Sequence, residues 1–174
     1  MLLQRFRFLL RCLRFDSIVT LQERLQIDKL APIRFVFETF VQKCKECFST
    51  GEYVIIDEML ESFRGRCSFR QYLPNKPDKY GIKIFAMVDA RNFYTSNMEV
   101  YVGKQPERPM FVNTSTNALV KRLIESITGT NRNVTIDNWF TSVSLARELL
   151  KDHKLTIAGT IRKNKPEMPD QLKT

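Results

Sequence analysis

The hydrophobic periodicity of the sequence changes at Gly51, and this change constrains the fold more than any other feature. Before Gly51, apolar residues recur at helical spacing within residues 1–14 and again from about 28 to 48. After Gly51 they follow strand patterns, which occupy residues 53–57, 81–89 and 94–102. We therefore predict an all-helical segment over residues 1–51 and a strand-containing part over residues 52–174.

The rest of the chain alternates helices with strands. Ser115 is placed to cap a helix that Gly129 ends, and a second helix is predicted from about Ser142 to Lys151. A further strand follows each helix, at residues 133–137 and 154–161. The predicted order is strand, strand, strand, helix, strand, helix, strand, with an antiparallel hairpin first and parallel strands after the helical crossovers. This order predicts an α/β fold with a mixed sheet.

The composition favours one domain with an anionic partner. The chain has 174 residues, 43% of them apolar, which is enough for one core of ordinary size. Its net charge of +9 favours nucleic acid over a membrane surface as that partner. Arginines interrupt the longest N-terminal apolar runs, so we expect no membrane-spanning segment.

Residues 1–14 allow two interpretations. They are rich in arginine and free of acids, as a mitochondrial targeting helix would be. Their apolar residues recur at helical spacing, which favours the buried face of an ordinary helix: Leu2, Leu3, Phe6, Leu9, Leu10 and Leu13.

The four cysteines lack the spacing of a secreted disulfide framework, which favours reduced thiols in an intracellular compartment. Cys44 and Cys47 are spaced like a metal-binding pair, but no second pair follows at zinc-site spacing, so we expect no structural zinc. His153 is the only histidine and lies in a Lys-rich helix end. There we expect it to interact with the helix dipole rather than to serve in a catalytic triad.

Two predicted strands each end on an aspartate, Asp57 in "YVIIDEML" and Asp137 in "NVTIDNWF". Ligands in such sheets collect at the carboxyl ends of strands, and paired carboxylates suit Mg²⁺ or Mn²⁺. A metal site of this kind needs a third acid, for which Glu58, Glu61 and Asp89 are nearby candidates. The alternative is that both aspartates simply begin turns.

Residues 64–83 combine basic and aromatic side chains, as expected of a surface that follows a phosphate backbone. The basic residues are Arg64, Arg66, Arg70, Lys76, Lys79 and Lys83. A solvated charged face is the alternative. A shorter basic run follows the final strand and comprises Arg162, Lys163 and Lys165. For Trp139, just past Asp137, packing is favoured over stacking on a nucleobase.

Three ordered blocks of the sequence resemble piggyBac-type transposases and the piggyBac transposable element-derived proteins. "IDEMLESFRGRCSFRQYLPNKPDKYGIKIFAMVD" looks like the region of their first catalytic strand, and "IDNWFTSVSLARELL" resembles the segment of their second catalytic aspartate. "LTIAGTIRKNKPEMP" is similar to the strand and basic turn that follow. Upstream, "RFRFLLRCLRFD" and "DKLAPIRFVFETFVQKC" are similar to the helical segment before the core. The resemblance covers nearly the whole chain.

The resemblance implies a ribonuclease H-like core in residues 52–174, preceded by a helical segment in 1–51 that is DNA-binding or dimerisation-like. It implies that Asp57 and Asp137 are the first two catalytic, metal-binding members of an Asp-Asp-Asp triad. It further implies Mg²⁺ or Mn²⁺ as cofactor, double-stranded DNA with transposon ends and TTAA targets as partner, and a nuclear location. A homodimer is left open.

The family's third aspartate lies further along than residue 174, so we expect these residues to be inactive alone and to bind metal weakly at most. A partial gene model, a decayed copy and a domesticated remnant would all account for such a chain. Two functional alternatives to the enzyme follow: a domesticated, non-catalytic DNA-binding or regulatory protein, and a remnant with no molecular role.

Overall fold

The computed structural model of the protein describes residues 2–103, 112–169 and 171. Its helices are α1 (Leu3–Cys12), α2 (Ile18–Ile27), α3 (Arg34–Cys47), α4 (Thr116–Leu123) and α5 (Val143–His153), with a 3₁₀ turn at Glu125–Ile127. Its strands are β1 (Tyr53–Ser62), β2 (Gln71–Tyr72), β3 (Tyr80–Asp89), β4 (Thr95–Val100), β5 (Asn133–Ile136) and β6 (Thr156–Gly159). A polar loop rich in Pro, Gly and Thr is predicted over about residues 103–114, and most of it lies outside the described residues.

The segment before the sheet is helical, as predicted, but it is divided into three helices rather than two. The helix expected from residue 28 begins only at Arg34, because Asp28 organises a turn in front of it. The Asp28 carboxylate accepts from the Leu30 backbone N–H at 2.9 Å and forms an ion pair with Arg34. Pro32 also disfavours helical geometry at the residue before it.

Helix α1 does not bury the apolar face that its spacing predicts. None of its residues is buried, and its apolar side chains are at least 44% exposed. Helix α2 likewise buries none of its residues. Amphipathic spacing predicts that a helix has an apolar face but not what covers it, and no described part of this chain covers α1.

The strands form one mixed sheet in the order β2-β3-β1-β5-β6, with β4 paired to β3. β1, β3 and β4 pair antiparallel, whereas β1, β5 and β6 pair parallel. The predicted order of strands and helices is confirmed, with the short β2 and the 3₁₀ turn as additions. No helix in the described residues is long and apolar enough to cross a membrane.

The main core lies on one face of the sheet, beneath α4 and α5. It joins alternate residues of β1, β3 and β5 to the apolar faces of the two helices, and it includes Val54, Ile56, Met87, Leu123 and Leu145. Ser115 caps α4 as predicted, and Ser142 caps α5; each side-chain oxygen accepts a backbone N–H. The spacing of Leu145, Leu149 and Leu150 predicts that all three face inward, but Leu150 is 61% exposed.

The opposite face is covered only in part. A smaller cluster, which includes Leu30, Phe69 and Val100, packs over β3 and β4. Over β1, β5 and β6 the same face presents exposed side chains such as those of Tyr53 and Thr135. Part of the sheet is therefore open to solvent within the described chain.

Asp89 fastens the end of β3 to the start of β1. Its buried carboxylate accepts three backbone N–H groups, from Gly51 at 2.6 Å, Arg91 at 2.9 Å and Asn92 at 2.8 Å. These bonds stabilise the ionised carboxylate and therefore lower the pKa of Asp89. The bond from the Gly51 N–H has the largest effect, followed by the bond from the Asn92 N–H.

Asp89→Asn is expected to lower the midpoint of thermal unfolding at pH 7 by roughly 5 °C, because the amide has one acceptor oxygen and no charge. The folded pKa is depressed, so the carboxylate's stabilisation is full above its unfolded pKa near 3.8 and is lost as pH falls through the folded pKa. Circular dichroism melts between pH 7 and pH 3 measure both effects. The exposed Asp152→Asn is the control, and equal melting of Asp89→Asn and wild type at pH 7 would contradict the assignment.

Candidate active site

Asp57 lies in β1, and Asp137 directly follows β5, the parallel strand paired with β1. The β1–β5 pairing runs from Tyr53–Asn133 to Ile56–Ile136, so the two aspartates are the next residues in register. Paired strands are about 4.8 Å apart, which brings the two carboxylates within reach of one ion. The structure therefore brings together the two residues that the sequence predicted as a pair.

The expectation that Asp57 ends its strand is wrong. β1 continues to Ser62 because β3 pairs with it as far as Ser62–Gly81. What ends at Ile56 is the pairing with β5. Asp57 thus lies at the end of the parallel pairing, although not at the end of a strand.

Both carboxylates are exposed and belong to the open face of the sheet. Their strand neighbours Ile56 and Ile136 point into the core, so alternation directs the aspartates to the opposite side. One carboxylate oxygen of Asp57 accepts the Glu58 backbone N–H at 2.7 Å. Both side chains retain oxygen atoms that face solvent.

A turn that begins at Asp137 fixes the backbone at this point. The Asp137 carbonyl accepts the N–H groups of Phe140 and Thr141 at 3.0 and 3.1 Å, and the Thr141 hydroxyl at 2.8 Å. Gly159 of β6 lies so close that a Cβ there would be 2.6 Å from the Thr141 hydroxyl oxygen and 2.7 Å from the Ile136 carbonyl oxygen. Only glycine fits here without a shift of the strand.

None of the three nearby acids completes a metal site. Asp89 is buried in its own turn at the far end of β1, and Glu58 is on the other face of the sheet, where it pairs with Lys76. Glu61 shares the face of Asp57 but is four residues away, about 13 Å along the strand. In residues 2–103, 112–169 and 171, no group of three or more His, Cys, Asp or Glu side chains is arranged to hold a metal ion.

The two aspartates nevertheless fit part of a divalent-metal site. Carboxylate oxygens are the ligands that Mg²⁺ and Mn²⁺ prefer, and exposure leaves room for water and phosphate oxygens. Two carboxylates alone are an incomplete set of protein ligands for such an ion.

The basic residues of segment 64–83 are spread over the β1–β2 loop, the β2–β3 turn and strand β3. Arg64, Arg66 and Arg70 lie in the exposed loop between β1 and β2. Arg70 stacks its guanidinium over Tyr80, with 5.4 Å from its central carbon to the ring centroid, and Tyr80 contacts Tyr72 at 4.8 Å between ring centroids. The side chains of Arg64 and Arg66 make no hydrogen bond or ion pair with the described residues, which leaves both available to a partner.

The three lysines of the segment differ in their surroundings. Lys76 donates to the Glu58 carbonyl oxygen at 3.3 Å and so lies against β1. Lys79 is exposed in the turn before β3. Lys83 pairs with Leu60 across the strands and therefore lies on the sheet face opposite Asp57.

The shorter basic run approaches the turn after β5. Arg162 donates to the side-chain oxygen of Asn138 at 3.2 Å, beside Asp137. Lys163 is exposed and Lys165 is half-buried in the same turn region. The Asn138 contact had no signal in the sequence, because nothing in a lone asparagine predicts its partner.

Trp139 packs against other aromatic rings, which is the role that the sequence favoured for it. Its ring is parallel to that of Phe85, with 5.5 Å between centroids, and meets Phe140 edge-on at 4.7 Å. It remains 38% exposed. At the end of α5, a ring nitrogen of His153 is 3.1 Å from the Thr128 hydroxyl.

A family model described as Transposase IS4 matches residues 1–174 of the chain. Among curated proteins, the chain is 25% identical over 142 residues to the human PiggyBac transposable element-derived protein 3. This alignment covers 79% of this chain and 23% of the relative. It is also 25% identical over 142 residues to the human Chimeric ERCC6-PGBD3 protein, of which it covers 13%. The chain thus spans less than a quarter of these curated relatives.

A solved structure matches a larger part of this chain than the curated relatives do. A cryo-EM structure of a piggyBac transposase synaptic complex with hairpin DNA superimposes with a TM-score of 0.88 at 43% sequence identity. The match covers 98% of this chain and 35% of that one.

The DDE transposases generally use divalent metal ions, which agrees with the carboxylate chemistry of Asp57 and Asp137. The mixed α/β fold matches that of a piggyBac transposase. The resemblance to piggyBac-type transposases is confirmed, and the chain belongs to the Transposase IS4 family of DDE transposases.

Proposed function

We propose that this chain is the two-aspartate part of a piggyBac-like DNA cleavage and strand-transfer core. The observation that carries the proposal is the register of Asp57 and Asp137 at the end of the β1–β5 pairing. The resemblance to piggyBac-type transposases implies that such a core cuts phosphodiester bonds with water and then uses the freed 3′-hydroxyl as a nucleophile at TTAA targets. We propose that this chain contributes Asp57 and Asp137 to chemistry of this kind.

We further propose that the fold of residues 52–174 is ribonuclease H-like. With β2 set aside, the strands lie in the order third, second, first, fourth, fifth, with the first three antiparallel and the last two parallel to the first. The helical crossovers α4 and α5 lie on one face. This arrangement supports the assignment.

In the proposed site, Asp57 and Asp137 hold Mg²⁺ or Mn²⁺ through their exposed oxygens. The bound ion would supply positive charge that lowers the pKa of the attacking hydroxyl group or water. The residues themselves orient the site: the strand pairing aligns the carboxylates, and the Thr141 bonds hold the turn of Asp137. Their open sheet face gives access to a DNA strand.

The proposed partner is double-stranded DNA. The charge of +9 favours a polyanion, and the structural relative is a complex with hairpin DNA. Arg64, Arg66, Arg70, Lys76 and Lys79 would contact its backbone from the side of β2. Arg162, Lys163 and Lys165 would do so beside Asp137. Because the proposed substrate is DNA, we propose that the protein acts in the nucleus.

A non-catalytic, domesticated DNA-binding or regulatory protein is the second candidate. The observation that favours it is the lack of a third carboxylate beside Asp57 and Asp137 in the described part of the chain. The basic residues would then serve binding without cleavage.

Mn²⁺ is expected to bind weakly between the two aspartates and to broaden the amide NMR signals of residues 55–58 and 135–138. Asp57→Asn or Asp137→Asn should remove this local broadening, because each takes away a charged ligand. Asp152→Asn, on the exposed side of α5, is the control. Broadening that survives both active-site variants would contradict the metal assignment.

A plasmid-nicking assay with Mg²⁺ or Mn²⁺ separates the two candidate functions. We expect the 174 residues alone to bind DNA without nicking it above the Asp57→Asn background. Metal-dependent nicking that Asp57→Asn abolishes would show that two carboxylates suffice and would defeat the non-catalytic candidate.

Arg64→Ala and Arg66→Ala are each expected to weaken binding to duplex DNA of any sequence and to reduce the slope of log affinity against log salt by about one. Both arginines are exposed and make no described ion pair, so each can neutralise a phosphate. Fluorescence anisotropy at several salt concentrations measures the slope. Arg147→Ala, exposed on α5, should leave it unchanged, and an unchanged slope in all three variants would count against this surface.

We also propose that residues 1–51 form a DNA-binding and dimerisation-like segment beside the core of 52–174. The exposed apolar side chains of α1 support self-association, since so large an apolar surface is costly in water. A second copy of the chain would cover it.

Sedimentation velocity is expected to show a dimer that dissociates on dilution. Leu9→Glu should shift it to monomer at concentrations where wild type is dimeric, because a charge cannot be buried unpaired in the apolar contact. Gln4→Glu adds the same charge at a polar position of α1 and should leave the dimer intact. A wild-type chain that is monomeric at every concentration would refute the proposal.

A further inference from the structure

A cavity of about 200 Å³ lies on the sheet face that carries α4, close to the turn after Asp137. We call it the aromatic cavity; its walls include Gln71, Lys83, Phe85, Tyr101, Arg122 and Trp139. It faces away from the open side of the sheet that Asp57 occupies.

One wall of the aromatic cavity consists of aromatic rings. Phe85 and Trp139 lie parallel, within 4° of each other, and Tyr101 meets Phe85 edge-on at 6.1 Å between centroids. Phe85 is buried, whereas Trp139 keeps 38% of its surface exposed. Part of the indole is therefore free to contact a ligand.

Lys83 brings a positive charge to this wall. Its ammonium nitrogen is 4.8 Å from the centroids of both Phe85 and Trp139. No carboxylate of the described residues forms an ion pair with it. A half-buried cation held by two rings, without a counter-ion, is well suited to a ligand anion.

The other cation of the wall is already neutralised. Arg122 donates to both carboxylate oxygens of Glu99 at 2.7 Å and to the Asn113 carbonyl oxygen at 2.9 Å. The contrast singles out Lys83 as the group available to an anion. Gln71 donates to the Phe69 carbonyl oxygen at 3.1 Å and keeps its own amide oxygen as an acceptor.

These features of the cavity suit the binding of a single nucleotide. An aromatic wall stacks on a planar base, an amide can bond to the edge of the base, and a cation suits its phosphate. The cavity is smaller than the roughly 300–1,000 Å³ typical of ligand pockets, so it admits one base and not a duplex. A base paired within a duplex has no free face to offer.

We propose that the aromatic cavity binds one unpaired nucleotide of the DNA, with its base against Trp139 and its phosphate on Lys83. This inference rests on the proposed function as a DNA-binding protein and assigns Lys83 to unpaired rather than duplex DNA. The turn that carries Trp139 starts at Asp137, so the nucleotide would lie next to a strand end of the candidate active site.

Trp139 is the single tryptophan of the sequence, so tryptophan fluorescence, excited selectively at long wavelength, reports on the cavity alone. The 174-residue chain is titrated with a perfect duplex, with a duplex that carries one extrahelical nucleotide, and with the same bulge made abasic. We expect the extrahelical nucleotide to quench the emission and to bind roughly tenfold more tightly than the abasic bulge. The perfect duplex and the abasic bulge should leave the emission unchanged.

Lys83→Met keeps the length of the side chain and removes its charge. It should abolish the preference for the extrahelical nucleotide while leaving affinity for the perfect duplex unchanged. Lys151→Met, exposed on α5, is the control and should behave as wild type. Far-ultraviolet circular dichroism checks that each variant is folded.

Equal quenching by the abasic bulge, or binding that does not distinguish bulged from perfect duplex, would overturn the cavity assignment and leave duplex binding intact. Absence of binding to all three DNAs would instead overturn the proposed function, and the cavity assignment with it.

Discussion

The candidate site depends on the parallel pairing of β1 with β5. This pairing aligns Ile56 with Ile136, and it thereby sets the next two residues of the strands, Asp57 and Asp137, side by side. A shift of one residue would turn one carboxylate into the core, because side chains alternate between the faces of a sheet. The buried neighbours Val54 and Val134 make such a shift costly, so the core maintains the spacing of the two acids.

The sequence was sufficient to predict the order of the elements after Gly51, since each strand and helix has a clear apolar period. It also predicted the proximity of Asp57 and Asp137, because carboxyl ends of parallel strands meet at one edge. It could not predict that β1 continues to Ser62. The length of β1 is decided by its partner β3, and residues 58–62 carry only a weak strand pattern of their own.

Surfaces were predicted less well than elements. The basic residues from Arg64 to Lys83 are near one another in sequence, but the alternation of β3 places Lys83 on the face away from Asp57. Similarly, the spacing of α1 predicted an apolar face without predicting its cover. Charge and apolarity are local properties of a sequence, whereas the direction in which a side chain points depends on strands far away along the chain.

The register of β1 and β5 also has a consequence for folding. The β3–β4 hairpin closes over a few residues, whereas Asp57 and Asp137 are about eighty residues apart in the chain. Closing so long a loop costs conformational entropy before these strands can pair. Closing a local hairpin costs less. The geometry of the two carboxylates is therefore controlled by the least local of the strand pairings in the described sheet.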